Sequence, residues 1–296
     1  MFQAPVHIPF QKIENELTLS RKTTLYLLRL DTIDLYAGGN KLFKLKYNLE
    51  EAAKQGFKKI LTFGGAWSNH LAAIASVNSR ELAVIAVLRG EEPAVYSDTL
   101  RYCEEKGVEL HFVSRTDYRN KTEASFIETL KSKFGDFYLL PEGGSNALAV
   151  KGCREITNYI PIDFDYICTP VGSGATLAGI ATGLKPHQHA IGFSALKGAD
   201  YLNDEVHKLI KEFRTENSKF KIAGDYHFGG YAKTNTELLA FKAGFEEQFN
   251  IPLDYVYTAK MMYGIFDMIA NNQFKENSTI VAVHTGGLQG NKGFEK

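Results

Sequence analysis

The stretch Tyr166-Ile167-Cys168-Thr169-Pro170-Val171-Gly172-Ser173-Gly174-Ala175-Thr176-Leu177-Ala178-Gly179 decides how the chain is read. Tyr166–Thr169 is a short run of aromatic, apolar and β-branched residues, as in a strand buried on both faces. It passes through glycines into small and apolar residues suited to a helix. Strand, glycine turn and helix make up the unit of an open, mostly parallel α/β sheet. Successive N–H groups in such a turn form a nest of phosphate size. Gly179 comes two positions late for a dinucleotide fingerprint, and Ile191–Lys197, about 20 residues on, contains no acid. The G-x-x-x-x-G-K-[ST] spacing is absent as well. A monophosphate fits this loop better than a dinucleotide or a nucleoside triphosphate, with a plain strand–helix turn as the bland alternative.

The same alternation extends in both directions. Strands are expected at Leu25–Leu30, Ile60–Phe63, Ala83–Leu88, Leu110–Val113, Phe137–Leu140, Tyr166–Thr169, Ala190–Ala195 and Thr279–His284. Between them lie helical patterns such as Lys41–Gln55, where Leu42, Leu45, Leu49 and Ala52 recur every three to four residues. The fold class is therefore α/β. Ligands of such sheets lie outside the carboxyl ends of the strands. No low-complexity linker divides the chain, so two domains would be interwoven rather than beaded. Arg115–Thr122 and Thr215–Lys221 read as exposed connections, the second as mobile.

A chain of 296 residues can bury a large core and suits about two domains. The 34 basic and 34 acidic residues balance, which argues against a nucleic-acid or anionic-membrane surface and for a small ligand. The three cysteines, Cys103, Cys153 and Cys168, are widely spaced and form no CxxC pair. That fits a reducing compartment better than a disulfide scaffold or a zinc site. No metal site is expected, since His187-Gln188-His189 reads as a solvated loop. There is neither a signal-like start nor an apolar run of about 18 residues, so the cytoplasm is the expected location.

Three further loops carry chemistry. In Gly38-Gly39-Asn40-Lys41 the glycines permit a tight turn close to a ligand. Lys41 then sits in the first turn of a helix, where the dipole disfavours its protonation and suits it to Schiff-base formation. Alone, the tetrapeptide reads first as a capped helix bearing a solvated lysine. Gly64-Gly65-Ala66-Trp67-Ser68-Asn69-His70 follows a strand and opens a helix. Its N–H groups can receive an anion, Ser68 can act as nucleophile or proton shuttle, and Asn69 can donate to a ligand oxygen. Ser68 or Asn69 is otherwise a plain helix cap. His284-Thr285-Gly286-Gly287 offers a hydroxyl suited to a ring nitrogen, or an ordinary strand end. One lysine, one anion cradle, one phosphate nest and one terminal hydroxyl together describe a pyridoxal 5'-phosphate site.

These residues resemble a known family. Gly-Gly-Asn-Lys-x-x-Lys-Leu, Gly-Gly-x-x-Ser-Asn-His, Gly-Gly-Ser-Asn-Ala-Leu (Gly143–Leu148) and Val-Gly-Ser-Gly-x-Thr-x-Ala-Gly are similar, in order and spacing, to the 1-aminocyclopropane-1-carboxylate deaminase/D-cysteine desulfhydrase family. The likeness runs from about Arg29 to Gly287. It implies the tryptophan synthase β-subunit-like fold (fold type II of pyridoxal-phosphate enzymes), with two interwoven open, twisted, mostly parallel sheets flanked by helices. A large cofactor domain of residues 1–44 and 141–296, a small domain of residues 45–140, and a homodimer are the corresponding expectations. Lys41 would hold the cofactor as a Schiff base and Asn69 would bind its phenolic oxygen. Gly172, Ser173, Gly174, Ala175 and Thr176 would cradle the phosphate. The Ser68–His70 backbone would hold the substrate carboxylate. Tyr257, in Asp254-Tyr255-Val256-Tyr257, matches a family tyrosine in a Pro-Val-Tyr context, and Tyr231 a second active-site tyrosine.

Three positions separate the family's branches. The deaminases have Glu after the Pro-Val-Tyr tyrosine, Leu before the terminal Gly-Gly and Gln after Ser-Asn; this chain has Thr258, Thr285 and His70. Glutamate near the pyridine nitrogen favours its protonation and a strong electron sink, which suits opening a ring that lacks an α-hydrogen. Threonine hydroxyls suit a neutral nitrogen and β-elimination. The resemblance thus implies an α,β-elimination on a small amino acid, with Lys41 taking the α-proton and Ser68 and Tyr257 handling protons near the leaving group. Aminocyclopropane-carboxylate deamination and cofactor binding without turnover are the alternatives. Leu28-Arg29-Leu30-Asp31-Thr32 and Leu42-Phe43 depart from the family pattern around Lys41 and bear on the substrate.

Overall fold

The structure, a computed structural model, describes residues 7–36, 38–213 and 219–294. Its strands are β1 (Phe10–Ile13), β2 (Thr24–Arg29), β3 (Lys59–Gly64), β4 (Ala83–Arg89), β5 (Glu109–Val113), β6 (Tyr138–Leu139), β7 (Tyr166–Val171), β8 (His189–Ser194), β9 (Phe220–Ala223) and β10 (Thr279–His284). They form a six-stranded sheet ordered β1-β2-β10-β7-β8-β9 and a four-stranded sheet ordered β5-β4-β3-β6. Among the described residues every strand pair is parallel except β1 with β2. The larger sheet draws its strands from both ends of the sequence, and the smaller one from the middle.

Each sheet is buried on both faces, which is why its strands read as apolar runs rather than alternating ones. In β10, Val281 and Val283 enter one core while Ile280 and Ala282 enter the other. In β4, Val84, Ala86 and Leu88 face one side and Ile85 and Val87 the opposite side. The period of two assigns successive side chains to different helix layers.

The helix Asn40–Lys54 joins the two halves. Its Leu42 and Phe43 belong to a core under the large sheet, and its Leu45 and Ala52 to a core under the small sheet. Its first turn therefore lies where the two sheets meet. It packs closely on the helix Ala147–Arg154, because Gly152 leaves no room there for a side chain: a Cβ would strike the Phe43 carbonyl. Gly179 gives the helix Ala175–Thr182 a similar approach to Cys153 and Val150. Close helix contacts thus fix Lys41 relative to the turn after β7.

Two stretches differ from expectation. Arg115–Thr122 is not merely an exposed connection, since Arg115–Arg119 is a short helix. Its Tyr118 is 3% exposed and sets its ring edge-on to Phe63 at 6.0 Å. Of Thr215–Lys221, residues 215–218 lie outside the described residues, whereas Phe220 and Lys221 pair with Ala190 and Ile191 in β9. β1 and β9 are short edge strands whose lysines break the apolar pattern, and pairing with the existing sheet makes them strands.

Candidate active site

The loops singled out in the sequence converge at the carboxyl ends of β2, β3, β7 and β10. Gly39 adopts φ +66°, and a Cβ there would collide with the Thr285 carbonyl. Only glycine allows this approach, which brings the lysine loop against the end of β10. The Asn40 N–H reaches the Thr285 carbonyl at 3.4 Å. The Asn40 side chain donates to Thr176 Oγ1 at 2.8 Å and accepts from Lys41 Nζ at 3.0 Å. Lys41 is thereby tied to the phosphate nest through one amide.

Among the described residues Lys41 Nζ has no carboxylate within ion-pair distance. Burial, with the positive charge of Lys44 beside it, lowers its pKa to about 7. A substantial fraction of the amine is then neutral near pH 7, as a carbonyl-trapping nucleophile requires. Lys44, 4% exposed, lies three residues along the same helix. It donates to Ser173 Oγ and to the Gly143 carbonyl, both at 3.2 Å, and burial lowers its pKa as well. The nest is closed below by Val206, the nearest neighbour of a Cβ on Gly174 (φ +84°), and above by Tyr257, whose ring and hydroxyl approach Gly172. The N–H groups from Gly174 to Thr176 enter the helix Ala175–Thr182.

Across the cleft, Ser68 caps the helix Asn69–Ala75 by accepting from the Leu71 N–H at 3.2 Å. Its own hydroxyl proton has no acceptor among the described residues, so the cap and the proton-shuttle readings are compatible. Asn69 Oδ1 accepts from Gln289 at 2.7 Å, and Asn69 Nδ2 lies over Gly287.

A family model for pyridoxal-phosphate dependent enzymes matches residues 9–286. The chain belongs to that family. It is 33% identical over 287 residues to a putative 1-aminocyclopropane-1-carboxylate deaminase of Thermotoga maritima, covering 90% of this chain and 89% of the relative. It is 31% identical to a mitochondrial bifunctional D-cysteine desulfhydrase/1-aminocyclopropane-1-carboxylate deaminase of Arabidopsis thaliana, covering 92% of this chain and 74% of the relative. The crystal structure of an ACC deaminase homologue superposes with a TM-score of 0.84 at 27% identity, covering 97% of this chain and 91% of the other.

The residues present fit pyridoxal phosphate. A buried ammonium, a serine hydroxyl and a glycine-lined helix entry supply the chemistry a phosphate needs. The Lys41 amine adjoins them, and the Thr285 hydroxyl, 8% exposed, makes no hydrogen bond within the described residues. Thr258 is placed differently from Thr285. Its hydroxyl donates to Asp254 Oδ1 and accepts from the Asp254 N–H, both at 2.7 Å. Asp254 Oδ2 also receives the Val256 and Tyr257 N–H groups at 2.9 Å, so Asp254 gathers the backbone that leads into the helix Thr258–Ala270. The Thr258 proton is thus occupied, whereas the Thr285 hydroxyl has no acceptor among the described residues.

His70 is 2% exposed, and its Nε2 lies 2.7 Å from Thr62 Oγ1, which itself donates to the Leu140 carbonyl at 2.9 Å. The single Thr62 proton being used, His70 carries its hydrogen on Nε2 and leaves Nδ1 a bare acceptor with no partner among the described residues. Burial first, then Lys41 and Lys44, lower its pKa to about 3. The enzyme therefore keeps this imidazole neutral. It can accept a hydrogen bond, but it is no general acid at ordinary pH.

Tyr257 faces Tyr231, and burial first, then that neighbour, raises its pKa well above the usual phenol value. Their ring centroids lie 6.1 Å apart, nearly perpendicular, with Tyr231 49% exposed at the mouth. Lys260 holds the loop behind Tyr231, donating to the His227 and Gly230 carbonyls at 2.8 and 2.7 Å. Sequence reasoning assigned no role to Lys44, Lys260 or Gln289. The spacing of Lys44 from Lys41 was a usable signal, because residues three apart share a helix face.

Proposed function

We propose that the enzyme catalyses an α,β-elimination on a small amino acid, as a D-cysteine desulfhydrase does. The observation that carries this reading is the ring-nitrogen end of the site. Thr285 offers a free hydroxyl there, and the nearby carboxylate, Asp254, is occupied by three N–H groups and the Thr258 hydroxyl. A neutral nitrogen makes a moderate electron sink, suited to substrates that bear an α-proton and a good leaving group.

Bound here, pyridoxal phosphate would accept the negative charge that develops at the substrate α-carbon. Lys44, Ser173 and the N–H groups of residues 172–176 would hold its phosphate, Asn69 its phenolic oxygen and Thr285 its ring nitrogen. The Ser68–His70 backbone receives the substrate carboxylate. Lys41 Nζ, with a pKa of about 7, takes the α-proton. Ser68 Oγ and the Tyr231–Tyr257 pair supply a proton to the departing group. With D-cysteine the balance is loss of hydrogen sulfide, then addition of water to give pyruvate and ammonia.

We assign residues 1–44 and 141–296 to the cofactor domain and residues 45–140 to the small domain, in keeping with sheet membership. A homodimer in the cytoplasm is the accompanying proposal, supported by the family likeness and by three unpaired, buried cysteines. The relatives' names also keep aminocyclopropane-carboxylate deamination as the second reading.

The test is a screen of D- and L-cysteine, serine, chloroalanine and aminocyclopropane carboxylate for 2-oxo acid. Pyruvate and sulfide from cysteine, with little product from the cyclopropane, is expected. Preferential formation of 2-oxobutyrate from the cyclopropane would replace the elimination reading with the second one.

A further inference from the structure

An asparagine amide can present either a donor or an acceptor to a ligand, and its other end decides which. The Asn69 amide is held at both ends by the segment after β10. Gln289, 7% exposed, gives its side-chain N–H to Asn69 Oδ1 at 2.7 Å. Gly287, at φ +91°, lies so close that a Cβ there would come within 2.5 Å of Asn69 Nδ2.

The turn Leu288–Gly293 that carries Gln289 is itself fastened to both halves of the molecule. Asn291 donates to the Leu253 carbonyl at 3.0 Å and accepts from the Tyr255 N–H at 3.2 Å. Lys292 pairs with Asp98 of the small domain at 2.9 Å, and Gly293 packs on the Trp67 ring. Gln289 is therefore presented from a fixed backbone.

We propose that Gln289 is a positioning residue that locks the Asn69 amide with its N–H₂ toward the phenolic oxygen of the cofactor. The proposal rests on the reading of Asn69 given above. A donor at that oxygen stabilises its deprotonated form, so the lock holds down the pH at which the bound cofactor's visible band titrates. Gln289 touches neither cofactor nor substrate and acts through Asn69.

The test compares the holoenzyme with Asn69→Ala, Gln289→Met, Gln289→Glu and the Asn69→Ala/Gln289→Met double variant. Two quantities are read: the pH midpoint of the visible band, and the affinity of the resolved enzyme for added pyridoxal phosphate. Asn69→Ala should raise the midpoint and weaken affinity about tenfold, as loss of one hydrogen bond does. Gln289→Met should move both in the same direction by a smaller factor, roughly threefold in affinity. Gln289→Glu should move the midpoint further, because a carboxylate only accepts and would turn the Asn69 oxygen toward the cofactor. In the Asn69→Ala background, Gln289→Met should add nothing. A midpoint unmoved by either Gln289 change, or full additivity in the double variant, would overturn the proposal while leaving the site reading intact. No response to Asn69→Ala would overturn the role of Asn69 itself, and the proposal with it.

Discussion

Two lysines with lowered pKa values, half-buried Lys41 and buried Lys260, share the same chemistry and have been given opposite surroundings. Burial lowers both, Lys41 to about 7 and Lys260 to about 8. Lys260 donates to two backbone carbonyls, His227 and Gly230, so its nitrogen is a fixed strut beneath the Tyr231 loop. Among the described residues Lys41 Nζ hydrogen-bonds to the Asn40 side chain alone, beside a second cation that reaches the glycine-rich turn. A lowered pKa therefore does not by itself mark a reactive amine. Few hydrogen bonds, an open face and a neighbouring anion site make that distinction.

Substitution offers the strongest way to break the comparison. Lys41→Ala should abolish turnover and the visible cofactor band together, a loss of at least about a thousandfold in rate, read by 2-oxo acid formation and absorbance. Lys44→Gln should keep Lys41 chemistry but weaken pyridoxal phosphate binding by about ten- to a hundredfold, the value of a charged hydrogen bond. Titration of the resolved enzyme measures this. Lys260→Met should leave the cofactor band in place and cost about 1–3 kcal/mol of stability, because two carbonyls lose their donor. Denaturant unfolding gives that figure, and a raised KM with a retained band would show the Tyr231 loop loosened.

The smallest effect sharpens the electrostatics. In the cofactor-free protein the acylation of Lys41 should titrate with a midpoint near 7, the amine reacting above it and being protected by its proton below. Lys44→Gln removes a like charge, which favours protonation, so the midpoint should move upward. An unmoved midpoint would show that Lys44 does not bear on Lys41.

Most of the strands, though not their order in the sheets, could be read from the sequence. β3, β4, β7, β8 and β10 are apolar runs ended by glycines or turn residues, and burial on both faces leaves that mark. β1 and β9 could not be read because an edge strand carries lysines and takes its conformation from its neighbour. The site was legible where glycines bracket chemistry, at Gly38–Lys41, Gly64–His70 and Gly172–Thr176. It was not legible where a side chain reaches across the fold. Gln289 meets Asn69 over 220 positions of sequence, and the Thr258 hydroxyl is taken up by the Asp254 carboxylate, which only three-dimensional geometry reveals. Lys260 reads in sequence as one more helical lysine.

The most direct test of the central claim is to reduce the holoenzyme with borohydride, digest it and locate the pyridoxyl label by peptide mass spectrometry. The account predicts label on Lys41 alone, retained in the Lys260→Met variant and lost in Lys41→Ala. Label on Lys44 or Lys260, or label that survives Lys41→Ala, would contradict it.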